Sequence, residues 1–78
     1  MEDLVRFIAE MLVENKEALK ISTNVEENGT NVINLVVAKS DMGRVIGKGG
    51  KIAQSIRSIV KTAGQKNNAR YIVKISEE

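Results

Sequence analysis

Residues 42–52 concentrate the side chains and backbone that could do chemistry in this chain. Four of the six glycines lie there, at positions 43, 47, 49 and 50, and three basic residues, Arg44, Lys48 and Lys51, stand between them. Glycine is costly inside a helix or strand because it loses the most backbone freedom on folding. A glycine cluster beside lysines therefore indicates a backbone that lies close to an anion. Phosphate is the natural candidate, because exposed N–H groups and helix N-termini bind it.

The distribution of charge supports this interpretation. The net charge is +2, but residues 1–38 carry seven acidic and three basic residues, a net charge of −4. Residues 39–66 carry seven basic residues and one acidic residue, a net charge of +6. Because the basic segment contains the glycines, it is better explained as a surface that faces an anion than as an ordinary solvated helix face.

Composition excludes several other kinds of site. The chain has no cysteine and no histidine, which excludes disulfides, zinc sites built on these residues, and their catalysis. No apolar run approaches the ~20 residues that span a bilayer, and acidic Glu2 and Asp3 stand where a basic leader is needed. We expect a single cytoplasmic domain over residues 1–78. No metal-ligand cluster or general base accompanies the glycines, so we expect neither a cofactor nor catalysis.

Hydrophobic periodicity predicts six elements in the order α-β-β-α-α-β, an α+β fold with helices layered on a sheet. Helices are predicted over 3–15, 41–46 and 51–63, and strands over 19–26, 31–38 and 69–75. Asp3 is a candidate cap for the first helix, and Gly64 is expected just past the end of the third. The predicted core stripe of the first helix is Leu4, Ile8, Met11 and Leu12, widened by Val5. The predicted stripe of the third helix is Ile52, Ile56, Ile59 and Val60.

Asn28-Gly29 predicts a hairpin between the first two strands, but two registers are possible. A strict two-residue turn sets Val25 opposite Val32 and places Asn34 on the core face. A three-residue loop with a bulge instead brings Ile33, Leu35 and Val37 to that face. We favour the second register because a slip of one residue inverts every side chain and this trio is wholly apolar.

Two familiar phosphate-binding motifs do not match the glycine cluster. A P-loop requires G-x-x-x-x-G-K-[ST] after a strand. Here only three residues separate Gly43 from Gly47, and Gly49 stands where Ser or Thr would bind magnesium. A dinucleotide fingerprint requires G-x-G-x-x-G between a strand and a helix. The glycines have different spacing, and helices are predicted on both sides.

A third interpretation fits, with G-x-x-G between two helices, preceded by Val45-Ile46 and followed by Ile52. It resembles the KH domain, whose signature is V-I-G-x-x-G-x-x-I, although Ile52 stands one position short of the usual spacing. The element order resembles the type II variant, and the resemblance covers the whole chain. The sequence is similar to the small stand-alone bacterial KH proteins of the KhpA family. This resemblance implies a three-stranded mixed sheet with helices packed on one face, and a non-catalytic protein that binds single-stranded RNA.

The KH resemblance also implies which residues contact RNA. In a KH domain the loop clamps the backbone of about four nucleotides. Apolar groups from Ile46 and from Val36 or Val37 are expected to lie under the bases. The full set of expected RNA contacts is Arg44, Ile46, Gly47, Lys48, Gly49, Gly50, Lys51 and Arg57.

Base stacking is not expected at this site. The chain has one phenylalanine and one tyrosine, and neither lies near the glycines. We therefore expect modest affinity for RNA and low sequence selectivity. A second copy of the chain, or a second RNA-binding partner, would raise the affinity through avidity. The resemblance implies the same: a homodimer, and pairing with a larger Jag-type (KhpB) RNA-binding protein, with roles as an RNA chaperone or post-transcriptional regulator in cell elongation and envelope growth. Ile46, Ile56 and Ile59 are candidate dimer contacts. A dimerisation module and a single-stranded DNA binder remain alternatives.

Overall fold

The structure is a computed structural model that describes all residues, 1–78. Short 3₁₀ turns precede β1, α2 and α3, and no helix has the length and apolarity needed to cross a membrane. The predicted element order is confirmed, with boundaries shifted by a few residues. The elements are α1 (Glu2–Leu12), β1 (Lys20–Val25), β2 (Asn31–Val37), α2 (Met42–Ile46), α3 (Lys51–Gln65) and β3 (Tyr71–Glu77).

The three strands form one mixed sheet in the order β1-β2-β3. The central strand β2 pairs antiparallel with β1 and parallel with β3. Ile33, Leu35 and Val37 of β2 are fully buried in a core that also contains residues from all three α-helices. Because alternate residues of a strand point to opposite faces, the helices cover one face of the sheet and leave the other open. The α+β fold inferred from the sequence is confirmed.

The β1–β2 hairpin adopts the favoured register. Ile21 pairs with Leu35, and the N–H of Glu26 donates to the carbonyl of Thr30 at 2.8 Å, which leaves residues 27–29 as a three-residue loop. Gly29 closes the loop with φ +88°, the conformation that this loop class requires. Only Ile21 of β1 is half-buried as predicted, and the other residues of the strand are exposed.

The α1 helix buries a narrower stripe than the periodicity predicted. Val5 and Ala9 are fully buried, whereas Met11 of the predicted stripe is 66% exposed, as is its neighbour Phe7 at 64%. The helix packs on the sheet along the Val5–Ala9 line, so the flank of the apolar stripe remains outside the core. Asp3 is not the cap, because the helix begins at Glu2 and no side chain caps it.

The α3 helix also departs from its predicted pattern. Its buried face includes Ile56, Val60 and Gly64, whereas Ile59 is 46% exposed. Gly64 lies inside the helix, and not just past its end. A Cβ at this position would stand 2.7 Å from the Tyr71 ring and 2.8 Å from a carbonyl oxygen, so only glycine lets the ring pack this closely. Its role is therefore close packing of β3 against α3, and not the helix end that the sequence suggested.

Candidate nucleic-acid interface

Gly47 creates the sharp turn between α2 and the loop. Its N–H donates to the carbonyl of Gly43 at 2.9 Å, and its backbone then takes φ 76° and ψ 173°. This region of backbone space is open almost only to glycine. A Cβ at Gly47 would also stand 2.6 Å from Cγ1 of Ile52. Both the turn and the packing of Ile52 therefore require glycine at this position.

The other two loop glycines have a different role. Gly49 and Gly50 adopt left-handed conformations, with φ of 64° and 77°. A Cβ on either residue would meet no atom within 4 Å. The outer surface of the loop is therefore unobstructed main chain, which a sugar-phosphate backbone could approach closely.

Positive charge surrounds this open surface. Lys48 and Lys51 are exposed, and neither is ion-paired with a carboxylate. The loop leads directly into the N-terminus of the 15-residue helix α3, where the helix dipole adds a partial positive charge. No acidic residue occurs between positions 42 and 76. The loop and its flanks therefore form a positively charged surface, which suits an anionic ligand.

Arg44 is the one predicted contact that is ion-paired with carboxylates. Its guanidinium pairs with Glu14 and, through Nε at 3.3 Å, with Oδ1 of Asp41. The Arg44 and Glu14 side chains are 50% and 72% exposed, so solvent screens their attraction and the pair adds little stability. A phosphate at this position would have to replace Glu14 as the partner of Arg44.

Asp41 has a structural role that its local sequence does not indicate. It is buried, and its two carboxylate oxygens accept the N–H groups of Glu14 and Asn15, each at 3.0 Å. These two hydrogen bonds, with a smaller contribution from Arg44, lower the pKa of the Asp41 carboxyl. Asp41 thereby fastens the segment after α1 to the start of α2, immediately before the glycine loop.

Asp41→Asn is expected to lower the melting temperature at neutral pH, because an amide cannot accept both N–H groups. A depressed pKa stabilises the fold at a pH above the unfolded pKa and loses this effect as the pH falls through the folded pKa. The gap between parent and variant should therefore close below about pH 4. Thermal melts from pH 7 to pH 2 would measure it, with Asp3→Asn as an exposed control. A gap that stays constant over this range would contradict this role.

The structure does not place Val36 or Val37 where the predicted apolar platform requires them. Ile46 is half-buried beside the loop, but Val37 is fully buried in the core, and Val36 points to the face of the sheet without helices. β3, and not β2, borders α3, and Nε of Arg57 donates to the carbonyl of Val73 at 3.3 Å. Because β3 runs back along α3, the half-buried Ile75 lies towards the loop end of the helix. Ile46 and Ile75 are the apolar groups available there.

The fold agrees with comparisons to known proteins. The sequence model of the KhpA/KhpB KH domain matches residues 2–75. The chain is 45% identical over 75 residues to the RNA-binding protein KhpA of Caldanaerobacter subterraneus, covering 96% of this chain and 99% of that protein. It is 42% identical over 78 residues to the RNA-binding protein KhpA of Listeria monocytogenes, covering 99% and 100%. The chain therefore belongs to the KhpA/KhpB family of KH-domain proteins.

Proposed function

We propose that this protein is a non-catalytic, single-stranded RNA-binding protein that clamps the nucleic-acid backbone with the loop Gly47-Lys48-Gly49-Gly50. The observation that carries the proposal is the unobstructed main chain at Gly49 and Gly50, between two unpaired lysines and at the N-terminus of α3. RNA binding by the KhpA relatives, stated in their names, supports the choice of ligand.

The chemistry of the proposed clamp follows from the loop geometry. Phosphates approach the glycine main chain, and the ammonium groups of Lys48 and Lys51 neutralise them. Arg57 adds a cation one and a half turns along α3, and Arg44 joins when a phosphate displaces Glu14. Ile46 and Ile75 offer shallow aliphatic contacts to the bases. Because no aromatic ring lies beside the loop, base stacking contributes little and sequence selectivity is low.

RNA binding is expected to weaken strongly with salt. If about four phosphates are neutralised, the slope of log K against log salt should be about −3, from roughly −0.7 per contact on a single strand. Lys48→Ala and Lys51→Ala should each make the slope shallower, whereas Lys20→Ala, on the open face of the sheet, should not. Fluorescence anisotropy with a labelled oligonucleotide across a salt series would measure the slope. A slope indistinguishable from zero would refute the electrostatic account, and parallel titrations with DNA would test the preference for RNA.

A partner-binding role is the second proposal, supported by apolar side chains left outside the core. Phe7 and Met11 lie one turn apart on α1, and Ile59 lies on α3, which packs beside α1. Ile56, an expected dimer contact, is 2% exposed and cannot serve as one. We propose that this surface joins two copies of the chain, or one copy and a KhpB-type protein, in a cytoplasmic RNA chaperone or regulator that acts in cell elongation.

Sedimentation at tens of micromolar is expected to detect a homodimer, and Ile59→Ser should shift it towards monomer because it removes an exposed apolar contact. Lys20→Ser, a change at an exposed position on the open face of the sheet, away from these apolar side chains, provides the control. A parent protein that remains monomeric, with no KH-domain partner recovered after crosslinking in cells, would contradict the proposal. Sequencing the RNA crosslinked to the protein in the same cells would test the regulatory role.

A further inference from the structure

A cavity of mixed polar and apolar lining lies at the opposite end of α3 from the glycine loop. Its volume is about 660 Å³, and it opens between the last turns of α3 and the start of β3. Its lining combines two cations, two carboxamides and the only tyrosine of the chain: Lys61, Arg70, Gln65, Asn68 and Tyr71. The loop mechanism uses none of these residues.

The main chain around this cavity is held in place. The missing Cβ of Gly64 lets the Tyr71 ring lie directly against α3. Asn68 takes a left-handed conformation with φ 54°, and the N–H of Ala69 returns to the carbonyl of Gly64 at 2.9 Å. The carbonyl of Arg70 accepts both the N–H and the Nδ2 of Asn31, at 2.9 and 3.1 Å. The side chains that line the cavity therefore project from a main chain whose conformation is fixed by these contacts.

The charges around the cavity favour a base, and not a phosphate, in its interior. Neither Lys61 nor Arg70 pairs with a carboxylate. The C-terminus of a helix carries partial negative charge, which disfavours a phosphate deep in the cavity. Gln65 and Asn68 each offer a donor and an acceptor, which are the groups that base edges require. A base in the cavity, with its flanking phosphates at Lys61 and Arg70, satisfies all of these groups.

Helix α3 links the two sites, with the glycine loop at its N-terminus and this cavity at its C-terminal end. The hydrogen bond from Arg57 to the carbonyl of Val73 holds α3 along β3, the edge strand. Lys61 lies one turn beyond Arg57, and Tyr71 lies two residues before Val73, so the cavity lies beyond this contact, towards the C-terminal end of α3. From Lys51 to Gln65 the helix rises about 21 Å, at 1.5 Å per residue. A strand bound at the loop would reach the cavity along α3, a helix that contains no acidic residue.

We propose that the cavity lined by Lys61, Gln65, Asn68, Arg70 and Tyr71 is a second nucleotide-binding pocket for the same RNA strand. The inference rests on the proposed function, since the strand is anchored at the glycine loop. The loop clamps about four nucleotides, and the pocket holds a base further along the strand. The protein therefore binds longer single strands more tightly than a four-nucleotide segment.

The test compares labelled RNA oligonucleotides of about four and about ten nucleotides by fluorescence anisotropy. The parent protein should bind the longer strand about tenfold more tightly or better. Lys61→Ala/Arg70→Ala should lose most of this gain and bind the short strand like the parent. Lys20→Ala/Lys74→Ala removes two exposed charges from the open face of the sheet and should keep the gain. Circular dichroism would confirm that both variants are folded.

The outcomes separate the pocket from the loop. If the parent binds both strands with equal affinity, or if Lys61→Ala/Arg70→Ala keeps its full preference for the longer strand, the second pocket is refuted. The proposal that the glycine loop binds RNA is unaffected by either result. Equal loss in the two double variants would also overturn the pocket, because general charge would then explain the effect. If the parent binds neither strand, the proposed function fails and the pocket fails with it.

Discussion

Replacing Lys48 and Gly49 together by aspartate is expected to abolish RNA binding and leave the fold intact. The change adds two carboxylates and removes one ammonium, which shifts the loop charge by −3 where a phosphate would lie. Like-charge repulsion at such a site costs several kcal/mol, enough to erase micromolar affinity. Lys48 is exposed, and a side chain at Gly49 meets no atom within 4 Å. Aspartate also tolerates the left-handed conformation of Gly49 better than most residues.

Two measurements on this variant decide the result. Anisotropy titrations should show no saturable RNA binding, and circular dichroism should show mixed helix and strand with a cooperative melt. Lys20→Asp/Ser22→Asp applies the same charge change to exposed positions of β1 and should retain most of the affinity. A folded Lys48→Asp/Gly49→Asp protein that binds RNA as tightly as the parent would show that the glycine loop is not the binding site.

Gly47→Ala is expected to destabilise the protein far more than Gly49→Ala. The backbone of Gly47 is strained for any other residue, and its new methyl group would overlap Ile52. Together these effects should cost about 2–5 kcal/mol, a large part of the stability of a small domain. The left-handed conformation of Gly49 should cost alanine only about 1–2 kcal/mol, with no steric overlap.

Urea unfolding of the two variants would measure this difference. Gly49→Ala is the matched control, because it makes the same chemical change two residues away in the same loop. Equal losses would mean that the loop rearranges freely around Gly47 and that contact with Ile52 does not fix its shape. RNA titrations of the folded fraction would then show whether the precise turn matters for binding.

The features that could be predicted from the sequence depend on local patterns. The alternation of Ile33, Leu35 and Val37 identified the core face of β2, and Asn28-Gly29 identified the hairpin. The spacing of the loop glycines between two helical patterns located the turn that Gly47 forms. Each of these signals involves residues only a few positions apart, so it can be recognised in a single sequence.

The features that escaped prediction depend on contacts between distant segments. The Asp41 carboxylate accepts hydrogen bonds from the N–H groups of Glu14 and Asn15, and nothing in the sequence around Asp41 indicates these bonds. Gly64 is required because the Tyr71 ring packs against it, and this contact exists only once β3 packs along α3. Met11 belongs to an apolar stripe by periodicity, yet it is exposed because the sheet covers only part of that stripe. The cavity beyond Gly64 was missed for the same reason.

The parallel pairing of β2 with β3 has a consequence for the kinetics of folding. β1 and β2 are joined by a three-residue loop and can pair early, whereas residues 38–70 separate β2 from β3. Closing such a crossover is slow compared with local pairing. The glycine loop lies within the crossover, so its geometry should form late, after the folding transition state. The destabilisation of Gly47→Ala should therefore appear as faster unfolding, with little change in the refolding rate.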